Sequence, residues 1–457
     1  MTVDLNSCIV RYIIRKTRHE KGWRQEDVKG ISHGTVSNIE RGTNYVDPET
    51  VRGYLRQLGL TENRLKSLVQ KEEKQVEALN FQLEAIDSML DNDKTGKARQ
   101  LLKDIEIESY HPLSPYHTYL QGRCYQAKRD WTKAEKHYRL AIRLRKQYNL
   151  NLKGNIVSIC YNRLSICFHL QNKMDKALDY VEKGLDAYNN NEGEQNIWYA
   201  LNSNKVWYLL NSYQFDSAKQ VLSELWASMP QIRNMKIVLN LHRYKAIILK
   251  KLKQYPEALQ VCKEGVDLAR RNGIQNRYLD LMNILGSIYL MQNQLHQAKQ
   301  LFQTVLDYDY EVAFPRSRID ALIYLATTQV FFHEWTKAED IIQDALKLAQ
   351  NVPYFLPKVL LVAGNIYAAQ NKWSEAVTFY QKAEEIAEKG RDKKRQYSAL
   401  LQLSNCFDMM GLEAEWKSCT KKLLKLQHEI YVKDEEDISM IWFNLRSQMG
   451  DDSSEDG

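Results

Sequence analysis

The chain has 457 residues, of which 44% are hydrophobic and 26% charged, with only 19 glycines and 8 prolines. A chain of this length holds several domains or one long repeat array. Its charged residues recur with helical spacing, which excludes a strand-rich protein and predicts an all-α fold. The net charge is +7, and residues 1–66 carry 12 Lys and Arg against 8 Asp and Glu. This local excess is typical of a nucleic-acid-binding segment, although an ordinary solvated face also explains it.

Cysteine usage and motif content narrow the class of protein further. The seven cysteines form no CxxC pair and mostly occupy apolar helix positions, which predicts reduced core residues. The apolar segment 8–14 is too short for a signal sequence, and no later apolar run approaches a membrane span, so we expect a cytoplasmic protein without membrane contact. There is no HExxH, Walker or GxGxxG motif, and His111 and His117 flank a proline-containing loop that favours a turn over a metal site. We expect neither enzyme activity nor a cofactor.

The first 66 residues predict a small helical domain. A helix over residues 6–21 ends at Gly22, and a short second helix over 25–29 leads to a turn at Gly30 and a third helix capped by Ser32. A further helix beginning at Pro48 completes a five-helix domain near residue 66. The residues expected to hold these helices together are Ile9, Ile13, Ile14, Trp23, Val36, Ile39, Val51, Leu55, Leu58 and Leu60.

The third predicted helix carries side chains suited to reading DNA. Small polar residues remain outward at its start, where hydroxyl and amide groups can reach base edges in the major groove. Asn38 is suited to pairing with adenine, while Gln25 and Arg41 are placed to hold phosphates. An alternative is that Ser37 and Asn38 only cap or solvate the helix. The predicted DNA-contacting residues are Gln25, Ser32, Gly34, Thr35, Ser37, Asn38 and Arg41.

Two short segments of this domain match a known family. The first segment resembles the start of helix two in the Cro/C1 (Xre) repressors and is Gln25-Glu26-Asp27. The second resembles the end of helix three in the same family and is Ser37-Asn38-Ile39-Glu40-Arg41-Gly42. The stretch between Gln25 and Thr35 is two or three residues shorter than is usual in that family, so helix two or its turn is abbreviated. The resemblance implies a helix-turn-helix domain that binds duplex DNA.

The rest of the chain repeats a pattern of small and aromatic residues. Around residue 130 the pattern comprises Gly122, Tyr125, Ala134, Tyr138 and Ala141, in which small residues let paired helices approach and aromatic rings fill the gap. It resembles the tetratricopeptide repeat and implies a right-handed superhelix whose first helices line a concave groove. The successive small anchors are Ala98, Ala134, Ala177, Ala218, Ala258, Ala298, Ala338 and Ala376, with Trp416 at the terminal position. These anchors lie 36 to 43 residues apart and predict about nine units.

Polar residues concentrate on the inner face of the central units. The position fifteen residues before each anchor is polar at Asn162, Ser203, Arg243 and Asn283 but apolar at later units. Asparagine is a poor helix former, and its amide can satisfy the backbone of an extended peptide. A hydrated groove with ordinary polar faces is the alternative. The predicted peptide-binding residues are Asn162, Asn204, Trp207, Asn240, Arg243, Asp280 and Asn283.

These patterns predict four segments: a DNA-binding domain (1–66), a helical linker (67–79), a peptide-binding repeat domain (80–430), and a capping helix with an acidic tail (431–457). The combination resembles the peptide-sensing Rap/Rgg/NprR/PlcR/PrgX regulators of Gram-positive bacteria, especially the NprR and PlcR branch. The resemblance implies a quorum-sensing transcription factor that forms a homodimer or higher oligomer and binds a DNA operator and a short signalling peptide.

Two other functions remain open at this point. The repeats could bind a response regulator and inhibit phosphotransfer or stimulate its dephosphorylation, as Rap-like relatives do. Residues 82–99, where such an activity is expected, contain no diagnostic catalytic residue. The other possibility is a scaffold whose DNA-binding domain is vestigial.

Overall fold

The computed structural model describes residues 4–150, 152, 154–171, 173–192, 196–212, 214–308, 315–352, 355–390 and 392–429. Within these ranges the chain forms 21 α-helices, two 3-10 helices and no strand, so the all-α prediction is confirmed. No helix in the described part of the chain is both long and apolar enough to span a membrane. The predicted capping helix and acidic tail, residues 431–457, lie outside the described residues.

The N-terminal helices pack around one apolar core. They are α1 (Cys8–Glu20), a 3-10 helix (Gln25–Asp27), α2 (His33–Arg41), α3 (Pro48–Leu58) and the 30-residue α4 (Glu62–Asp91). Every residue predicted for this core is buried except Trp23, which is partly buried against it. The predicted domain boundaries at residues 66 and 79 both fall within α4.

The second predicted helix is much shorter than expected. Only Gln25–Asp27 are helical, in a single 3-10 turn, where the sequence pattern predicted residues 25–29. Val28 adopts an extended conformation, and Gly30 has a φ of +70°, so the backbone leaves helical geometry before a second turn can form.

Most of the remaining helices contact the helix that follows them in the chain. Their bounds are α5 (Thr95–Lys103), α6 (Ser114–Ala127), α7 (Trp131–Gln147), α8 (Ile156–Leu170), α9 (Met174–Asp186), α10 (Asn196–Asn211), α11 (Phe215–Ala227), α12 (Met235–Lys251), α13 (Tyr255–Arg271), α14 (Gln275–Met291), α15 (Leu295–Asp307), α16 (Pro315–Phe331), α17 (Trp335–Ala349), α18 (Leu356–Ala369), α19 (Trp373–Lys389), α20 (Lys393–Met409) and α21 (Glu413–Glu429). The first helices α12, α14, α16, α18 and α20 also lie side by side.

The small anchors of the repeat are buried as the pattern predicts. All eight alanines, from Ala98 to Ala376, have no exposed surface. Gly364 shows why the pattern pairs a small residue with an aromatic one, since a Cβ atom there would lie 2.4 Å from the Tyr380 ring. Trp416, at the terminal anchor position, is 36% exposed. An indole at that place is too large for the buried site that alanine fills elsewhere.

The chain divides into two compact units. The first comprises residues 1–169 and 175–201, and the second comprises residues 170–174 and 202–457. The first unit therefore contains the N-terminal helices together with the first repeats. All seven cysteines are buried and none forms a disulfide, in agreement with their predicted place in the core.

Candidate functional site

The first candidate surface is the exposed side of α2. Ser32 caps this helix, because its Oγ accepts a hydrogen bond from the Thr35 amide at 3.2 Å. Val36 and Ile39 have no exposed surface, whereas Gly34, Thr35, Ser37 and Asn38 are partly exposed. The Asn38 Oδ1 accepts hydrogen bonds from Thr43 and Asn44 in the loop that follows the helix. The helix thus presents small polar groups to solvent, and the hydrogen bonds from the following loop fix the orientation of the Asn38 amide.

A buried ionic network fixes α2 against α1 and α3. Glu40 is fully buried, and its carboxylate accepts hydrogen bonds from Arg18 at 2.6 Å, Arg15 at 3.2 Å and Tyr54 at 2.8 Å. Burial would raise the pKa of Glu40, but the two guanidinium groups hold that pKa below its usual value. Gln25, predicted to contact phosphate, donates its amide to Glu40 at 3.0 Å. In the free protein Gln25 is therefore part of this network, and its amide is not available to phosphate.

The N-terminal helices make direct contacts with the first repeats of the same unit. The guanidinium of Arg11 donates to the backbone oxygen of Asn149 at 2.5 Å, and the Asn149 side chain donates to the backbone oxygen of Arg41 at 3.1 Å. Arg15 lies over the Tyr148 ring, 4.6 Å from its centroid. These contacts connect the C-terminal end of α2 to the end of α7. We call Arg11, Asn149 and Tyr148 the joint.

The second candidate site lies on the first helices of the second unit. The Arg243 guanidinium on α12 stacks on Trp207 of α10, 4.4 Å from the ring centroid, and donates to Asp280 of α14 at 3.0 Å. Trp207 also stacks on Tyr244. Asp280 accepts a second ion pair from Arg277 and a hydrogen bond from Ser317 of α16 at 2.7 Å. The contacts bring one cluster together across four successive first helices.

Two amides of this region have unused hydrogen-bonding capacity. Asn283 donates its Nδ2 to the backbone oxygen of Ser317 at 2.7 Å, but its buried Oδ1 accepts no hydrogen bond. The Oδ1 of Asn240 is likewise buried without a donor. A buried acceptor without a partner costs about 1–3 kcal/mol, which a ligand N–H group can recover once a side-chain rotation exposes the oxygen. The arrangement favours a ligand rich in amide donors.

The cluster also has an excess of positive charge. Arg243 and Arg277 share the single carboxylate of Asp280. Burial would raise the pKa of Asp280, but the two arginines lower it overall, so the carboxylate is ionised at neutral pH. Burial lowers the pKa of Arg277, and repulsion from Arg243 lowers it further. Two arginines and one carboxylate leave a net charge of about +1, which can attract an anionic group.

The structure groups some of the predicted peptide-binding residues and not others. Four of them belong to the connected cluster: Trp207, Arg243, Asp280 and Asn283. Two more lie on helices of that cluster, Asn204 on α10 and Asn240 on α12. Asn162, which is buried on α8, belongs to the first unit. We refer below to the residues of the second unit as the polar cluster: Asn204, Trp207, Asn240, Arg243, Arg277, Asp280, Asn283 and Ser317.

The sequence pattern missed Arg277 and Ser317. Arg277 lies three residues before Asp280, on the same helical face, and this spacing was the available signal for an ion pair. Ser317 gives no such signal, because its partners Asp280 and Asn283 are 37 and 34 residues away. The described residues contain no group of three or more possible metal ligands, and the Nδ1 of His111 accepts a backbone hydrogen bond from Leu113.

Family models recognise two parts of the repeat region. A tetratricopeptide-repeat model matches residues 116–190, and a second one matches residues 359–394. The chain therefore contains tetratricopeptide repeats, although the matched segments cover less than half of it. No curated protein matches the sequence.

Solved structures share the arrangement of helices. A Rap protein complexed with competence and sporulation factor is 13% identical, with 78% of this chain and 99% of that chain covered and a TM-score of 0.57. The apo form of the quorum sensor NprR from B. thuringiensis is 15% identical, with 77% and 99% covered and a TM-score of 0.53. Aspartyl phosphate phosphatase F from Bacillus subtilis is 12% identical, with 84% and 96% covered and a TM-score of 0.50. At these identities the likeness establishes the fold, an all-helical superhelix of the tetratricopeptide type.

Proposed function

We propose that this protein is a cytoplasmic transcriptional regulator whose DNA binding is controlled by a short peptide held by its repeats. The observation that carries the proposal is the polar cluster, which joins four successive first helices and leaves amide oxygens and positive charge unsatisfied. Two structural neighbours, the Rap complex and NprR, are named for a bound factor and for quorum sensing. This proposal includes membership of the NprR and PlcR branch, a right-handed array of about nine units, and a homodimer or higher homo-oligomer.

The DNA-binding half of the proposal rests on α2. Its capped N-terminus, its partly exposed Thr35, Ser37 and Asn38 and its anchored far side suit a recognition helix that enters the major groove. In this proposal Asn38 reads a base edge and Arg41 contacts phosphate. A dimer would supply a second copy of α2 and extend recognition to an inverted repeat, because one small domain buries too little surface for high specificity.

The peptide-binding half rests on the cluster's dimensions and chemistry. Neighbouring helices pack 8–10 Å apart, so four first helices span about 30 Å, which an extended peptide of roughly five to ten residues can cross. Asn240 and Asn283 would accept backbone N–H groups, and the cationic excess at Arg243 and Arg277 would attract a carboxylate. A peptide bridging several units would favour one superhelical pitch and so change the affinity for DNA.

The DNA-binding proposal is tested by selection from a random duplex library with the full-length protein, followed by gel shifts. Asn38→Ala should relax sequence preference at a cost of about 1–3 kcal/mol. Arg41→Ala should weaken all duplexes alike and reduce the salt slope by about one unit. If neither variant differs from the wild type, α2 is not the recognition helix.

The peptide proposal is tested by affinity selection from a library of random peptides of about eight residues, a length that matches the estimated span. Calorimetry then compares the selected peptide on the wild type, Asn283→Ala and Asn204→Ala. Thr132→Ala, on the exposed face of a second helix, is the matched control. Affinity should fall in the asparagine variants and stay constant in the control. Equal affinity in all four proteins would remove the cluster from the binding site.

A second candidate function is binding of a response regulator, and the likeness to aspartyl phosphate phosphatase F favours it. This candidate predicts that the full-length protein alters phosphoryl transfer to a receiver domain without needing α2. The DNA selection distinguishes this candidate from the transcriptional regulator, because a protein that acts only through its repeats enriches no duplex. A scaffold with a vestigial DNA-binding domain would likewise enrich none.

A further inference from the structure

A basic stripe follows one face of α7 in the first unit. Lys136, Arg139, Arg143 and Lys146 recur at intervals of three and four residues, which places them within one side of the helix. All four side chains are exposed. The stripe is about 15 Å long at 1.5 Å per residue. It is an exposed positive surface that the helix packing of the repeat does not require.

Most charges of the stripe lack a counterion. Arg139 pairs with Glu135 at 2.7 Å, but in the described part of the chain Lys136, Arg143 and Lys146 form no salt bridge. Other basic residues of the same helix differ, since Lys133 pairs with Asp130. Like charges held together on one helix face repel each other, so a polyanion that binds there relieves the repulsion.

The stripe is continuous with the end of α2. Arg41, Arg139, Arg143 and Lys146 line one open cavity of about 480 Å³ together with Ile142, Gln147 and Tyr161. The joint fixes this proximity, because Asn149 holds the backbone of Arg41 next to the end of α7. The Nε of Arg41 is itself buried without a hydrogen-bond acceptor. Arg41, the proposed phosphate-binding residue of α2, thus lies beside the basic stripe, across one shared cavity.

We infer that the α7 stripe is a second DNA-binding surface, which holds the phosphate backbone next to the segment that α2 reads. This inference rests on the proposed DNA-binding function. A stripe of about 15 Å matches some four base-pair steps at 3.4 Å, so its cations can meet successive phosphates of one strand. Such contacts carry no base specificity. They would make the first repeats part of the DNA-binding surface and not only of the sensor.

The test compares two charge-matched double variants of the full-length protein. Arg143→Gln with Lys146→Gln removes two unpaired charges of the stripe. Lys263→Gln with Lys382→Gln removes two exposed charges without ion-pair partners from α13 and α19 in the second unit. The probe is a fluorescent duplex of about 30 base pairs and mixed sequence, roughly three helical turns. Its affinity is measured across a salt series.

The stripe variant should lower the slope of log affinity against log salt by about two, since each lost phosphate contact contributes roughly 0.9. The control variant should keep the wild-type slope. Equal slopes in the stripe variant and the wild type would overturn the inference while leaving α2 as the DNA reader. An equal drop in both variants would also overturn it, because net charge alone would then explain the effect. Failure of the wild type to bind any duplex would instead overturn the proposed function.

Discussion

The two polar networks of this protein differ in how completely they are satisfied. In the N-terminal helices, the buried carboxylate of Glu40 receives hydrogen bonds from Arg15, Arg18, Tyr54 and Gln25. In the polar cluster, two arginines share Asp280, and the buried oxygens of Asn240 and Asn283 accept nothing. The carboxylate of the first network is fully hydrogen-bonded without a ligand. The second network has unused hydrogen-bond acceptors and a net positive charge.

This difference separates a structural role from a binding role. A satisfied buried network fixes the helices that it joins, because breaking it leaves charges without partners in a medium of low dielectric constant. An incompletely satisfied network carries a free-energy cost in the free protein that a complementary ligand removes. We therefore propose that the Glu40 network holds α2 in place and that the polar cluster recognises the ligand.

Removing the central carboxylate should have the largest effect. Glu40→Ala leaves Arg15 and Arg18 buried without a counterion, and we expect a loss of about 3–5 kcal/mol in the stability of the N-terminal helices. Hydrogen exchange of amides in α2 and α3 measures this locally, which matters in a chain of two units. Glu40→Gln, which keeps the shape, should cost less. A loss below about 1 kcal/mol in the alanine variant would show that the network does not hold α2.

Acid should weaken the same region through His111. This side chain is buried beside Tyr12 of α1, and burial lowers its pKa from 6.5 to about 4. The unfolded chain therefore binds this proton before the folded one does, so stability is complete above pH 6.5 and is lost as pH falls toward 4. The full loss is about 3 kcal/mol. Hydrogen exchange at pH 7 and pH 5 should show it in the wild type, and His111→Gln should reduce the pH dependence. The same dependence in both proteins would rule His111 out.

Breaking the ion pairs of the polar cluster should have an intermediate effect. Asp280→Asn leaves Arg243 and Arg277 facing each other without a carboxylate, at a cost of about 1–3 kcal/mol in the second unit. The variant should also bind an acidic peptide at least as tightly as the wild type, because the positive charge increases. Denaturation with urea and calorimetry with the selected peptide measure the two effects. Weaker binding of an acidic peptide would mean that the ligand does not meet this charge.

Removing an unsatisfied amide should have the smallest effect on stability. Asn240→Ala removes a buried acceptor that has no donor in the free protein, and the relief of its desolvation cost offsets the packing lost on truncation. We therefore expect a net change in stability below about 1 kcal/mol together with weaker peptide binding. Glu40→Ala should therefore lose much more stability than Asn240→Ala. A large loss of stability with unchanged peptide affinity would reverse the roles that we assign.

The repeat register could be predicted from the sequence because it depends on local spacing. Small and aromatic residues at fixed intervals report the packing of a helix against its neighbour, and the burial of Ala134 and Ala258 follows directly. The helix cap at Ser32 was predictable for the same reason, since its partner Thr35 lies three residues away. Local chemistry is sufficient for features of this kind.

The long-range polar partners could not be predicted in the same way. The pattern placed Gln25 toward phosphate, but its partner Glu40 lies fifteen residues away and across a turn. Arg243 was expected to be available to a ligand, yet it already pairs with Asp280 in the next repeat. Such pairings depend on how neighbouring helices align, and no residue type or short spacing encodes that alignment.

In the proposed mechanism, peptide binding in the repeats changes the affinity of α2 for DNA. The most direct measurement is the dissociation constant of the full-length protein for its selected duplex, with and without a saturating concentration of the selected peptide. We expect a change of roughly 5- to 150-fold, the range of a coupling of about 1–3 kcal/mol, and the reciprocal change in peptide affinity when duplex is present. Asn283→Ala should need more peptide to produce the same change. An identical duplex affinity with and without saturating peptide would rule out coupling between the repeats and α2.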